Sequence, residues 1–386
     1  MIQGAYSLEE LVRERCVLIT GAPSFVAIQL LWRILEKEPD THVHLIVRGD
    51  RIVKTEEFIE RAPTGHDRVT IHRGTVIDPN FGLHDHVFEQ LCEQVTDFYH
   101  LSSMHHLGAA KQQVEEVNIL GTRVALAAAA KFKNLHRFHY YSTAFVCGAR
   151  EGVILENDLE QGQTFRSTYE RTRLTAELDV RRAMKDLPIS VYRASLVVGD
   201  SRSGEIYWLD GPWIFIQAIA RNPERLPTLL PSAIHNPFNV VPVDFVAHAM
   251  HAISLRPDTE GYTFHLADPA PVSQASAFRL LRRHIEEGPV LTSFGGRLRD
   301  RLLHLRFFEK RTKQGRPFLN ELDNLAIFNT AHTLKALRGT DIYCPYFPDY
   351  VATLVQFAHE EGAFLQKDKK NAKRWLRVKN KEPLDA

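Results

Sequence analysis

The chain lacks several features that would assign a protein class directly. Its four cysteines, Cys16, Cys92, Cys147 and Cys344, are scattered and form no CxxC pair. This argues against a disulfide framework or a zinc site and favours a cytoplasmic location. No apolar run approaches the roughly eighteen residues of a membrane-spanning helix, and the N-terminus has acids where a signal peptide would be apolar. The formal net charge is only +1, so no nucleic-acid partner is predicted.

Glycine is also scarce at the start of the chain, where one segment has a recognisable pattern. The apolar run Cys16–Ile19 has strand character and stops at Thr20 and Gly21, and apolar residues at helical spacing resume from Phe25 to Leu35. A strand, a tight glycine turn and a helix begin the βαβ unit in which a pyrophosphate rests on a helix N-terminus. Such a loop usually has three glycines. Here only Gly21 is present, with Ser24 and Ala27 at the other two positions, so the loop alone is a weak match.

Further strands alternate with helical stretches along the first half of the chain. Strands are predicted at 41–47, 69–72, 97–101, from 137 onward, 189–198, 239–244 and 262–266, and helices at 81–94, 114–131 and 245–253. This alternation predicts an α/β fold, a Rossmann-type doubly wound parallel sheet with a smaller, mostly helical C-terminal substrate lobe. The predicted units are a dinucleotide-binding domain at 1–200, a substrate-binding lobe at 201–366 that interleaves with it around 239–268, and a basic tail at 367–386.

Hydroxyl groups and a cation at defined spacing are the strongest local indication of chemistry. Tyr169 and Arg173 are four residues apart on a predicted helix, so they share one face. A nearby cation stabilises tyrosinate and makes a tyrosine a better acid. Thr143 lies at the end of the predicted fifth strand, where open α/β sheets build their sites. The alternative reading is an ordinary surface pair at i and i+4.

Motifs in a characteristic order carry a resemblance to a known family. They are VLITGAPSFVA, YHLSS (Tyr99–Ser103), NILGT (Asn118–Thr122), YYSTAFVCG (Tyr140–Gly148), YERTR (Tyr169–Arg173), YRASLVVGDSRSGEI (Tyr192–Ile206), NVVPVDFV (Asn239–Val246) and YTFHLADP (Tyr262–Pro269). The chain resembles the extended short-chain dehydrogenases/reductases, and within them the thioester reductase-like or fatty acyl-CoA reductase ("male sterility", NAD-binding) branch. The likeness covers roughly residues 15–270 and continues weakly beyond them.

The resemblance implies an NADPH-dependent reductase of a fatty acyl thioester or a related lipophilic carbonyl. Tyr169 would supply the proton, Thr143 would orient the substrate oxygen, Arg173 would bind the ribose, and Asn118 would support the hydrogen bonds of the site. Arg48 corresponds to the position at which branch members hold a 2′-phosphate, which favours NADPH over NADH. The predicted cofactor-binding residues are Thr20, Gly21, Pro23, Ser24, Phe25, Val26, Arg48, Thr75, Val76, Leu101, Ser102, Ser103, Tyr169 and Arg173. The predicted substrate contacts are Ser142, Ala144, His105, His106 and Val198, and no metal site is predicted.

Departures from the family pattern keep two alternatives open. Arg173 replaces the usual lysine, Ser24 and Ala27 replace glycines, and Thr75 stands where relatives usually have an aspartate. One alternative is a degenerate NADP(H)-binding sensor protein, and the other is an NADP-dependent dehydrogenase or epimerase of a sterol, sugar or polyketide alcohol.

The expected partner is an acyl-CoA or acyl carrier protein thioester. Two basic segments, 297–316 and 367–381, are candidate contacts with the inner face of a membrane, although solvated helices are the simpler reading.

Overall fold

A seven-stranded parallel sheet is the centre of the fold. The computed structural model describes residues 15–104, 110–206, 235–285 and 324–367. The strands of the sheet are β1 (Cys16–Thr20), β2 (His42–Val47), β3 (Val69–Arg73), β4 (Asp97–His100), β5 (Arg137–Thr143), β7 (Ile189–Ala194) and β10 (Thr263–Leu266). Their order is β10-β7-β5-β4-β1-β2-β3, and each neighbouring pair is parallel. The predicted doubly wound α/β sheet is therefore confirmed.

Helices cover both faces of the sheet, because most of its strands are apolar on both sides. The helices are α1 (Phe25–Lys37), α2 (Ile52–Glu60), α3 (Asp85–Gln94), α4 (Lys111–Glu115), α5 (Gly121–Ala129), α6 (Thr168–Ala183), α7 (Val243–Ser254), α8 (Gln274–Ile285), α9 (Ala331–Ala336) and α10 (Phe347–Lys367). The first two helices and α7 share a core on one face, and α3, α5 and α6 share a core on the other. The alanine-rich sequence of α5 allows its backbone to approach the sheet closely.

The strand order reverses next to β1. The chain runs outward from β1 through β2 to β3, and then crosses back to form β4 on the other side of β1. In open parallel sheets, a crevice forms at such a reversal, at the carboxyl ends of the strands, and ligands bind there. The glycine loop, Thr20–Ser24, follows β1 at this position.

Several predicted elements have different bounds in the structure. The strand predicted at 239–244 is shorter, because the helix α7 already begins at Val243. The strand predicted at 189–198 is divided, because the amide of Ser195 bonds to Leu266 while that of Leu196 bonds to Asn239. Consequently β8 (Leu196–Val198) pairs with β9 (Val240–Pro242) in a separate two-stranded sheet. The helix predicted from Phe81 begins only at Asp85, since Asn80 and Phe81 have positive φ angles.

The helix predicted at 114–131 is longer at its start and is interrupted. It consists of α4, a π-helical turn at Glu116–Leu120, and α5.

The described residues beyond the main sheet form a second core and a short accessory sheet. Residues of β8, α8 and α10 pack together, including Val198, Phe278 and Leu354, and β6 (Gly152–Ile154) pairs with β11 (Ala326–Phe328). The buried carboxylate of Glu156 accepts hydrogen bonds from the backbone amides of His265 and His332, which ties this region to β10. The domain limits stay a prediction. In the four described ranges, we find no helix with both the length and the apolar character that crossing a bilayer requires.

Candidate active site

The glycine loop can be formed only with glycine at its second position. Gly21 has a φ of +99°, and a Cβ there would lie 2.7 Å from the carbonyl carbon of Leu101 and 2.8 Å from the amide of Ser102. The amide of Ser24 donates to the carbonyl of Gly21 over 2.8 Å, which closes the turn, and the intervening Ala22–Pro23 peptide is cis. The loop therefore fits tightly against the backbone that follows β4.

Ser24 is the N-cap residue of α1, but its side chain makes no capping hydrogen bond. The next two side chains, Phe25 and Val26, are buried in the core beneath the helix. These two residues thus present backbone, not side chain, to the loop. The structure brings together Thr20, Gly21 and Ser24 with Leu101 and Ser102, all of which were predicted to bind the cofactor. Pro23 is a buried member of the same turn, and Ser103 is the next residue along after Ser102.

A histidine behind the glycine loop joins it to the helix on the far side of β4. His100, the last residue of β4, is fully buried, with Nδ1 2.8 Å from the hydroxyl of Thr20 and Nε2 3.3 Å from that of Thr122. The Thr122 hydroxyl donates its proton to the carbonyl of Asn118, so it must accept from Nε2–H, and Nδ1 accepts from Thr20. Burial, together with the Arg173 cation, lowers the pKa of His100 to about 3, and the ring is neutral at physiological pH.

Asn118 fixes the segment after β4 and the start of α6 at once. Its Oδ1 accepts from the amide of Met104 over 2.7 Å, and its Nδ2 donates to the Met104 carbonyl and to the Thr172 hydroxyl, each at 3.0 Å. The Thr172 hydroxyl in turn donates to the carbonyl of Tyr169 over 2.9 Å. Asn118 is fully buried within the π-helical turn, and it contacts backbone and a neighbouring hydroxyl.

The N-terminus of α6 is fixed by capping. The Ser167 side chain accepts from the amide of Glu170, and the Glu170 carboxylate accepts from the amide of Arg166. This reciprocal arrangement resembles a capping box, and it places Tyr169, which is half-buried, in the first turn. The helix packs against β5 and against the turn Ala144–Cys147 that follows it.

Arg173 is one turn further along α6 and is fully buried. Its Nη2 donates to the carbonyl of Tyr141, and its guanidinium carbon lies 4.9 Å from the centre of the Tyr140 ring. Among the described residues, its Nε and Nη1 have no hydrogen-bond partner. A buried cation with two nitrogens that lack a hydrogen-bond acceptor is costly, and a polar ligand that accepted from their N–H groups would remove this cost.

The predicted hydroxyl positions on β5 differ in what surrounds them. Thr143 ends the strand, and its Oγ1 accepts from the amide of Phe145 over 3.3 Å. Ser142 points to the other side of the strand and donates to Glu177 over 2.6 Å, so the structure does not bring it together with Thr143. Ala144 is fully buried. Val198 is a buried member of the second core.

An arginine pair lies at the carboxyl ends of β2 and β3. The Arg48 guanidinium makes two hydrogen bonds of 2.5 and 2.7 Å with Asp50. Arg73, which ends β3, approaches the backbone so closely that a Cβ on Gly49 would lie 2.9 Å from its Nε. Among the described residues Arg73 has no ion-pair partner. Both arginines and Thr75 line an open cavity of about 550 Å³.

Val76, in the loop that follows β3, is buried next to Gly121 at the start of α5. Two of the predicted substrate contacts, His105 and His106, lie outside the described residues. So do the basic segment 297–316 and all but the first residue of 367–381.

The sheet topology and the loop at the strand reversal define a nucleotide-binding domain of the Rossmann type. Comparison with known proteins narrows this class. The sequence model of the NAD-binding family described as "Male sterility protein" matches residues 19–250. The chain belongs to this NAD-binding family, as the resemblance implied.

Individual relatives are similar at a lower level. The chain is 26% identical over 278 residues to a linear gramicidin synthase of Brevibacillus parabrevis, across 66% of this chain and 5% of that protein. It is 21% identical over 281 residues to the fatty acyl-CoA reductase wat of Drosophila melanogaster, across 62% of this chain and 54% of that one. The chain thus spans only a small part to about half of these proteins.

Among solved structures, the terminal R domain of the myxalamid PKS-NRPS pathway shares the fold. Its TM-score is 0.76 at 24% identity, with 90% of this chain and 91% of that chain covered.

Sequence reasoning missed Arg73 and the bridging role of His100. The signal for Arg73 was available, because a residue ending the strand beside β2 lies next to Arg48 in a parallel sheet. For His100, the pairing with Thr20 follows from the register of β1 with β4, in which these two residues are partners. The link to Thr122 depends on how α5 packs, and no local pattern indicates it.

Proposed function

We propose that this protein is an NADPH-dependent reductase that acts on an acyl thioester, with Tyr169 as the proton donor. The observation that carries the proposal is the placement of Arg173. Its guanidinium is bound to the backbone of β5 on the same helix face as Tyr169, and Thr143 ends that strand. This placement supports the proposal, because Tyr169 lies one helical turn before a cation that is bound to β5, the strand that Thr143 ends.

The residues present fit a nicotinamide dinucleotide on two observations. Gly21 lets the loop close against the backbone of Leu101 and Ser102, where a Cβ would not fit, and the tight turn leads directly into the N-terminus of α1, a position that binds pyrophosphate. The unpaired Nε and Nη1 of Arg173 are donors of the kind that ribose hydroxyls accept from. Ser24 adds a hydroxyl that no capping bond uses. When bound, the dinucleotide supplies the hydride.

The chain's own groups account for the rest of the reaction. The Tyr169 hydroxyl donates its proton to the substrate carbonyl oxygen, and the Arg173 cation stabilises the tyrosinate that remains. Thr143 donates a hydrogen bond to the same oxygen and so fixes its direction. A thioester carbonyl that gains a hydride and a proton becomes a hemithioacetal, which breaks down to an aldehyde and a thiol.

Preference for NADPH is supported by the arginine pair at the ends of β2 and β3. A 2′-phosphate carries negative charge, and arginine binds phosphate through two parallel N–H groups. Asp50 occupies the guanidinium of Arg48, whereas Arg73 has no ion pair within the described ranges and faces the 550 Å³ cavity. We therefore assign the larger part of 2′-phosphate recognition to Arg73, with Arg48 contributing to the local positive potential.

A thioester substrate is supported by the relatives. The myxalamid R domain is named as the terminal domain of a PKS-NRPS biosynthetic pathway, and the wat protein is named a fatty acyl-CoA reductase. The substrate of this chain would accordingly be an acyl chain on coenzyme A or on a carrier protein.

The test is oxidation of NADPH or NADH by the purified protein with acyl-CoA, acyl carrier protein thioesters and aldehydes. We expect turnover with a thioester and NADPH, and a loss of at least about 100-fold in kcat for Tyr169→Phe. Tyr343→Phe is the matched control, since this tyrosine is 75% exposed. Equal rates for wild type and Tyr169→Phe would contradict the role of Tyr169. NADPH binding without hydride transfer would favour the sensor, and alcohol oxidation without thioester reduction would favour the dehydrogenase.

A further inference from the structure

A continuous set of buried hydrogen bonds runs from the glycine loop to the helix that carries Tyr169. It passes through five polar side chains, each of which is fully buried: Thr20, His100, Thr122, Asn118 and Thr172. These side chains make their hydrogen bonds almost entirely with one another and with nearby backbone. A buried hydrogen-bond network of this kind fixes one arrangement of the elements that it joins.

We propose that His100 is a positioning residue that sets the glycine loop and the Tyr169 helix in a fixed relation to each other. His100 is the only side chain among the described residues that bonds to both Thr20, next to Gly21, and Thr122 on α5. From Thr122 the contact continues to the backbone of Asn118 and then to Met104 and Thr172. This inference rests on the proposed function, because it assumes that the loop binds the dinucleotide.

The directions of the bonds define what the network does. Thr122 donates to the carbonyl of Asn118, and Thr172 donates to the carbonyl of Tyr169, so both ends of this part of the network are backbone oxygens. A backbone carbonyl cannot release a proton, so the network does not deliver protons to the Tyr169 hydroxyl. The network therefore positions two parts of the structure. Nδ1 of His100 holds the glycine loop through Thr20, and Nε2 holds α5 through Thr122 and, beyond it, Asn118 and Thr172.

The two ring nitrogens can be replaced one at a time. Asparagine has its amide at the distance of Nδ1, so His100→Asn retains a partner for Thr20 and loses Thr122. Glutamine reaches to the distance of Nε2, so His100→Gln retains a partner for Thr122 and loses Thr20. His100→Leu removes both. The matched control is His139→Gln on the adjacent strand, since His139 is also fully buried but bonds to Tyr192 and Asp97 instead.

The first measurement is the Kd for NADPH, from fluorescence titration, together with kcat at saturating NADPH. We expect His100→Gln to raise Kd about tenfold with kcat near wild type, and His100→Asn to lower kcat about tenfold with Kd near wild type. His100→Leu should show both changes, and His139→Gln neither. Equal effects of the Asn and Gln variants on both constants would overturn the proposal, because a merely structural histidine has no reason to separate them.

The second measurement needs no ligand and no turnover. Amide hydrogen exchange reports on Ser24, whose amide bonds to Gly21, and on Met104, whose amide bonds to Asn118. We expect faster exchange of Ser24 alone in His100→Gln, of Met104 alone in His100→Asn, and of neither in His139→Gln. If the wild-type protein binds no dinucleotide, the proposed function is contradicted. If both amides exchange at the wild-type rate in the folded His100 variants, the role of His100 is contradicted.

Discussion

The replacement Gly21→Ala is expected to be among the most damaging single-methyl changes in this protein. The methyl group would meet three backbone atoms, Leu101 C, Ser102 N and Leu101 O, at 2.7 to 2.9 Å. Backbone atoms cannot rotate away as a side chain can, so β1 and β4 or the loops after them must separate. A forced contact of this kind costs about 1–3 kcal/mol. The φ of +99° adds about 1–3 kcal/mol for a residue with a Cβ.

A control isolates the steric part of this cost. Gly162 also has a positive φ, +70°, but nothing lies within 4 Å of a Cβ built on it. Gly162→Ala should therefore lower the free energy of unfolding by only about 1–2 kcal/mol, through backbone strain alone. Gly21→Ala should lower it by about 2–6 kcal/mol, the sum of strain and contact.

Two assays follow the change. Urea unfolding gives the free energy of unfolding of both variants, and NADPH titration gives the Kd. We expect Gly21→Ala to raise the Kd for NADPH more than tenfold, because the added methyl group displaces the loop relative to the first amides of α1. Gly162→Ala should leave the Kd for NADPH unchanged. Equal stability and equal affinity of the two alanine variants would refute the reasoning that Gly21 is required by close contact with Leu101 and Ser102.

Three other predictions concern charge. Arg73→Gln should reduce the preference for NADPH over NADH about tenfold, from the ratio of kcat/KM values, whereas Arg51→Gln, an equal change of charge nearby, should not. Glu177→Leu should destabilise the fold by about 3–5 kcal/mol in urea unfolding, because it leaves the buried guanidinium of Arg193 without its ion-pair partner. Adding Arg193→Met should restore part of the free energy of unfolding, and a double variant as unstable as the single one would contradict the importance of the Glu177–Arg193 ion pair. Burial lowers the pKa of His139 to about 4 from 6.5. The unfolded chain therefore binds one more proton than the folded chain between pH 6.5 and 4, and stability is lost as pH falls through this window. In His139→Gln, the plot of the free energy of unfolding against pH should be less steep by up to about 1.4 kcal/mol per pH unit. An unchanged slope of that plot would contradict a neutral buried ring.

The sequence predicted the sheet well because its signals are local. Each strand is a short segment rich in β-branched or aromatic residues, and alternation with helices is enough to imply parallel pairing. The division at Ser195 was not predicted, because Leu196–Val198 is as apolar as the strand before it. What divides it is the presence of two different partners, β10 for one part and β9 for the other, and partners are set by tertiary structure.

The site was predicted unevenly for the same reason. Gly21 and Asn118, which were named from ordered motifs, both contact the segment that follows β4. Ser142 was predicted to contact the substrate, yet adjacent strand residues point to opposite faces, and Ser142 contacts Glu177 instead of the side of Thr143. Arg173 was expected to bind a ribose, and its burial beside Tyr140 depends on packing that spacing alone does not specify.

The change of partner at Ser195 has a consequence for engineering and for the divergence of such proteins. Hydrogen bonding passes from Leu266 to Asn239 within one residue, so the main sheet and the β8–β9 ribbon are registered independently. We therefore expect insertions or exchanges between Val198 and Val240 to leave the pairing of β7 with β10 unaltered. A chimera that joins a relative's sequence after Val198 and returns before Val240 should keep this sheet, which makes the segment between β8 and β9 a natural graft point.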